Sequence, residues 1–194
     1  MPPRKTDTEK TPAKAKPAKP EPPQVTPDKI AEWKSHVARL AKKAAPYDLD
    51  LEDIEKQVIK IEQQIPAPPP VIASAEDTAK CQAHLRKVAH LRTKLTQIQT
   101  RCIQAKAVWS HILKAIKGHL WIQPEVQALK NDTARGTVVR KVAGRLEWKY
   151  TQVGALIEVA DKVIWTLKDN QRAVHGMIEA ATEERFLYLQ GMEK

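Results

Sequence analysis

The chain has 194 residues, of which 42% are hydrophobic, and this is enough for one ordinary domain with some length left for a tail. Six glycines, 5% aromatic residues and 29% charged residues, with Ala, Lys, Gln, Glu, Leu and Ile abundant, favour helix and disfavour a strand-and-turn fold. No apolar run approaches the roughly 18 residues of a membrane span and no hydrophobic signal core opens the chain, so no membrane partner and a cytoplasmic location are expected.

The net charge of +10 is unevenly placed. Residues 78–149 hold fifteen bases against three acids, whereas residues 28–77 and 150–194 are both net acidic. Lysines spread for solubility would not segregate in this way, so a polyanionic partner is the first expectation and a merely solvated basic face the alternative.

In chain order, residues 1–25 are rich in Pro, Lys, Thr and Ala and nearly empty of large apolar side chains, which predicts a disordered basic tail. Its Ala-Lys-Pro units fit weak affinity for nucleic acid or a plain solubilising role. Residues 26–65 read as a short helical pair. Thr26-Pro27 is a helix start, with Ile30, Trp33, Val37 and Leu40 on one face, and Leu51, Ile54, Val58, Ile61 and Ile65 form a heptad seam from about Asp50. A Pro-rich linker over 66–73 separates this pair from a long-helix core over 74–190.

The core begins at Ser74 with Asp77 three residues on, a capping arrangement. From Thr78 to Pro124 there is no Asp or Glu at all. Cys81, Val88, Leu95, Cys102, Trp109 and Ile116 recur every seven residues, with Leu91, Ile98, Ala105 and Ile112 beside them, so one edge of a long helix asks for burial. Lys80, Lys87, Lys94 and Arg101 form a cationic row flanking that seam. The helix is expected to run to about Lys117 and stop at Gly118. A connector follows, with a turn or two of helix at 124–130, and helical periodicity returns from Thr133: Val139, Leu146, Val153, Ala160, Leu167, Val174 and Ala181 every seven, with Val142, Leu156, Val163 and Met177 alongside and Asn170 interrupting them. The fold expected is all-α: two long antiparallel amphipathic helices, a short N-terminal helical pair, a disordered basic tail, and leftover seam that drives homo-oligomerisation.

Catalytic patterns are missing. The six histidines lack His-Glu-x-x-His spacing, there is no Cys-x-x-Cys, no Gly-rich loop follows a strand, and paired carboxylates are absent from the most distinctive stretch, so neither an enzyme nor a metal or other cofactor is expected. Cys81 and Cys102 are about 30 Å apart on one helix, too far to pair within a chain. Nucleic-acid binding has better material. Lys141, Arg145 and Lys149 share one side of the last helix next to Arg140, with Trp148 off the apolar seam beside them. Cations at the edge of an aromatic ring suit single strands, whose phosphates need charge and whose bases need a flat partner, although Trp148 and Trp165 equally suit packing between subunits. The expected binding set is Lys80, Lys87, Arg92, Lys94, Arg101, Arg140, Lys141, Arg145, Trp148 and Lys149.

The segment Gly154-Ala-Leu-Ile-Glu-Val-Ala-Asp161, then Trp165-Thr-Leu-Lys168, then Ala173-Val-His-Gly-Met-Ile-Glu179, resembles the end of the small recombination mediator proteins of T4-like bacteriophages. Specific similarity covers roughly residues 154–180; elsewhere it is one of charge and helix order, and the tail and N-terminal helical pair are additions. The resemblance implies rings of helical subunits that bind single-stranded DNA and help a recombinase displace the single-strand-binding protein, in the host cell cytoplasm if the chain is phage-encoded. It also implies an assembly role for Leu156, Val163, Leu167, Val174 and Ile178, to which the polar Asn170 adds a register-setting position. The expected function is a non-enzymatic single-stranded DNA-binding recombination mediator; the alternative is a helical scaffolding protein, such as a virion component, with a basic face for an acidic partner.

Overall fold

A computed structural model describes residues 23–69 and 74–192, so the tail expected over 1–25 and half of the linker expected over 66–73 lie mostly outside the described residues. The described residues are all-α, without a strand: α1 (Pro27–Lys43), a 3-10 turn (Ala45–Tyr47), α2 (Leu51–Gln63), α3 (Ala75–Trp121), α4 (Pro124–Gln127) and α5 (Asp132–Met192).

Helix starts are written locally. Thr26 Oγ1 accepts from the Lys29 amide ahead of Pro27 and Asp28, and Asp50 accepts from the Asp53 amide. At α3, Ser74 Oγ accepts from the Asp77 amide at 3.2 Å while Asp77 Oδ2 accepts from the Ser74 amide at 3.0 Å, a reciprocal capping box that satisfies two otherwise orphaned donors. The Asn131 side chain accepts from the Ala134 amide at the start of α5.

The long helices carry the molecule. His84 meets Asn170, Gln99 meets Asp161, and Lys117 meets Glu147, so numbers rising along α3 meet numbers falling along α5 and the two helices run in opposite senses. At 1.5 Å per residue their 47 and 61 residues span ~70 and ~90 Å. Every residue of the first seven-residue series in α3, from Cys81 to Ile116, is buried, as are Val139, Val153, Ala160, Leu167 and Val174 of α5. The heptad pattern and the buried stripe therefore largely coincide, with Ile112, Leu146, Leu156, Met177 and Ala181 of the pattern half-buried.

Gly118 does not end α3, contrary to the expectation. Its φ is helical, and the helix continues to Trp121 because Leu120 is buried in the core and holds the last turn, while Pro124 opens the next helix. The four-residue α4 falls within the turn or two expected at 124–130.

The short helices complete the burial that two long helices leave unfinished. Trp33 and Val37 of α1 enter one cluster with Leu113, Ile116, Leu120, Val126 and Val138 to Ala143. Ile54, Val58 and Ile61 of α2 enter a second with Val88 to Cys102 of α3 and Val153 to Leu167 of α5. The seam expected to be surplus within one chain is thus largely covered by α1 and α2. Beyond Met177 and Ile178 the cover ends, and residues 182–190 of α5 are exposed.

Candidate nucleic-acid interface

The expected binding residues divide by their surroundings. On α3, Lys87, Lys94 and Arg101 are exposed and make no ion pair among the described residues. Seven-residue spacing places them ~10.5 Å apart along the axis. Lys94 also borders a shallow groove of about 430 Å³ against α2, shared with Gln57, Lys60, Gln64 and Gln97. Lys80 is held instead by Glu76 at 3.0 Å and Asp77 at 3.6 Å at the helix start. Arg92 points to α5, half-buried, donating to Gln171 at 2.9 Å.

The C-terminal cations border a larger feature. A groove of about 700 Å³ runs between α1 and α5, bordered by Lys34 and Lys42 from α1 and by Arg140, Lys141, Arg145 and Lys149 from α5. Between the cations its wall is apolar: buried Val37, Val142 and Ala143, with half-buried Ala41 and Leu146. Asp48 is the one carboxylate in the lining, and Lys149 neutralises it at 2.5 Å. Lys34, Lys42, Arg140, Lys141 and Arg145 have no ion-pair partner among the described residues. Trp148, 58% exposed, follows Arg145 by three residues and Lys141 by seven, so it lies beside these two cations but outside the groove's lining. Such a concave, positively edged, apolar-walled channel can hold a phosphodiester backbone at its borders and unstacked bases against its wall.

Lys149 does something other than expected. Its ammonium is bonded to Asp48 and lies 5.1 Å from the Trp109 ring centroid, with only 22% of the side chain exposed. It separates the groove from a cavity of about 50 Å³ that also touches Ala41, Ala44, Trp109 and Leu146. Because Asp48 follows the 3-10 turn joining α1 to α2, Lys149 ties that joint to α5 and sets how α1 stands over the groove. It is a positioning residue, and a free phosphate contact here would require breaking that tie.

Lys34 and Lys42 were not anticipated. Their signal is a stripe of small residues, Ala38, Ala41 and Ala45, which follows Lys34 at helical spacing of four, three and four beside the buried face of α1. Small side chains there leave the space that becomes the groove.

The residues expected at subunit contacts sit mostly inside one chain. Val163, Leu167 and Val174 are buried, and Leu156 packs against the α2 cluster. Asn170 makes a 2.5 Å bond with His84 and donates to the Pro66 carbonyl at 2.9 Å, fixing the end of α2 to the long helices. Its polarity at a seam position is therefore satisfied without a second subunit. Ile178 is half-buried. Trp109 is core, whereas Trp165 is exposed with the Lys168 ammonium 4.7 Å from its ring centroid.

Few groups have perturbed ionisation. Burial pushes the Cys102 thiol up, with Arg101 opposing weakly, so the thiol stays protonated and packs as a small apolar group. His36 of α1 stacks on His119 of α3 with centroids 4.5 Å apart, and desolvation, then His119, then Arg39, lower its pKa from the ordinary 6.5. Among the described residues no group of three His, Cys, Asp or Glu side chains could hold a metal ion, and no helix is long and apolar enough to cross a membrane. Comparison with family models, with curated proteins and with solved structures gives no match, so the functional reading stands on the residues and their geometry.

Proposed function

We propose that this protein is a non-enzymatic single-stranded DNA-binding protein whose strand path is the groove between α1 and α5. The observation that carries the reading is the convergence on an apolar wall of five cations that have no ion-pair partner among the described residues, with exposed Trp148 outside the lining, one helical turn from Arg145. Duplex DNA keeps its bases stacked inside and would use only the charges; a single strand uses both charge and wall. Together with the C-terminal similarity to phage recombination mediators, this supports a mediator role. The protein would hold single strands for a recombinase in competition with a single-strand-binding protein, in the host cell cytoplasm, as a homo-oligomer.

Fluorescence anisotropy of a labelled oligonucleotide tests this directly. Counterion release predicts tight binding at about 50 mM salt that weakens by orders of magnitude toward about 200 mM. No binding at the lower salt would sink the proposal. The second reading, a helical scaffold with a basic face for an acidic partner, is favoured by the ~90 Å length of α5 and by its exposed apolar end. It predicts assembly without any oligonucleotide binding.

A further inference from the structure

The groove between α1 and α5 leaves the cationic row of α3 unused. Lys94, at the middle of that row, falls between His84, which meets Asn170, and Gln99, which meets Asp161, so it is level with residues 161–170 of α5. From Arg145 to residue 161 the same helix rises ~24 Å, so the row and the groove lie at different heights of the bundle.

The row also has a cleft of its own. In the groove between α2 and α3, Lys94 is joined by Lys60, exposed and without an ion-pair partner among the described residues. The carboxamides of Gln57, Gln64 and Gln97 line it above buried Ile61 and Ile98. Ammonium groups suit phosphates, a carboxamide both donates and accepts and so meets the polar edge of any base, and an apolar floor takes a flat ring.

Between the two clefts lies acid. Asp48 lines the α1–α5 groove and Gln57 lines the α2–α3 groove. In the chain between them Asp50, Glu52, Asp53 and Glu55 are all exposed, and the one base, Lys56, is bonded to Glu52 at 2.7 Å. A phosphate chain passing directly from one cleft to the other along the short helices would cross this stretch against like charge. Two separate strands, one in each cleft, would not.

We infer that the protein holds two strands at once and speeds the pairing of complementary single strands. The first strand occupies the α1–α5 groove, so the inference rests on the reading given above; the second occupies the α3 row and the α2–α3 groove. Complementary strands repel through their phosphates before their bases can meet. Two basic surfaces on one body of net charge +10 offset that repulsion and raise the local concentration of each strand for the other. The duplex that forms has its bases stacked inside, loses the contact with the apolar wall, and leaves.

Pairing of two complementary oligonucleotides, end-labelled as a donor and acceptor pair and mixed at about 50 mM salt, tests this by energy transfer. The full chain is expected to raise the pairing rate about tenfold or more over the protein-free rate. K87Q/K94Q/R101Q should pair strands no faster than buffer while its single-strand affinity, read separately by anisotropy, falls only a few-fold. Lys60→Gln, on a different helix, should slow pairing in the same direction with first-strand affinity unmoved. A full chain that binds one strand but does not accelerate pairing would overturn the inference and leave the groove reading standing. Undiminished acceleration by the α3 variant would overturn it too, as would a loss of single-strand binding as large as the loss of pairing, since that means one path and not two. A full chain that binds no oligonucleotide removes the groove reading itself, and is told apart by the anisotropy measurement.

Discussion

The two basic surfaces of this molecule carry similar charge in different settings. On α3, Lys87, Lys94 and Arg101 stand exposed along one helix, at intervals fixed by the heptad, with only Lys94 at the border of a groove. Between α1 and α5, Lys34, Lys42, Arg140, Lys141 and Arg145 approach from two helices across an apolar wall. A row of charge on one helix attracts any polyanion alike, because charge reports only phosphate density. A concave wall adds a contact that only unpaired bases can make. The comparison teaches that the segment with the most lopsided charge in the sequence need not be the selective surface.

The largest expected effect comes from removing the groove charges. Replacing Arg140, Lys141 and Arg145 together by Gln should weaken oligonucleotide binding by about two orders of magnitude at low salt. It should also flatten the slope of log affinity against log salt by about 2, since each lost single-strand phosphate contact is worth roughly 0.7. Salt titrations of the variant and the parent chain check both numbers, and an unchanged slope would move the strand path to α3.

Trp148→Ala sharpens the comparison because it alters no charge. Loss of one stacked base should cost about 1–3 kcal/mol in single-strand affinity, with duplex affinity unmoved. Equal losses on both would mean that Trp148 packs rather than stacks. Replacing Lys87, Lys94 and Arg101 by Gln should have a smaller effect, a few-fold loss shared equally by single and double strands, with helicity by circular dichroism unchanged because the seam is untouched.

The smallest effect concerns the helix that makes the groove. His36 has a folded pKa below its ordinary 6.5, so the stabilisation it lends is fully present above the unfolded value and is lost as pH falls through the folded one. Acidification below about pH 6.5 should therefore loosen α1 from α3 at the His36–His119 stack. Hydrogen exchange of α1 amides should rise with falling pH, after correction for intrinsic rates, and His36→Gln should remove much of that dependence. The α3 row, which does not rest on α1, should keep its share of oligonucleotide binding.

Much of the architecture was legible in the residues. Val88, Leu95, Cys102 and Leu167 repeat at heptad spacing because a helix edge that is to be buried must present apolar groups at that period, and they are the core. Thr26, Asp50 and Ser74 announced their helices because an N-cap acts within three residues. Gly118 misled because glycine only permits a helix to end, and the burial of Leu120 decided against it. Lys149 misled because its row position was right while its partner, Asp48, lies 101 residues away in sequence.

The sequence by itself determined the helices, their caps, their buried edges and the segregation of positive charge, since each depends on interactions within a few turns. Only the tertiary structure decided that α1 and α2 cover the long seam, that Lys34 and Lys42 face Arg140 to Arg145, and that Lys149 and Asn170 are occupied within the chain. Those outcomes depend on which helix packs over which stretch. Packing is set by complementary surfaces brought together from distant parts of the chain, and no local period records it.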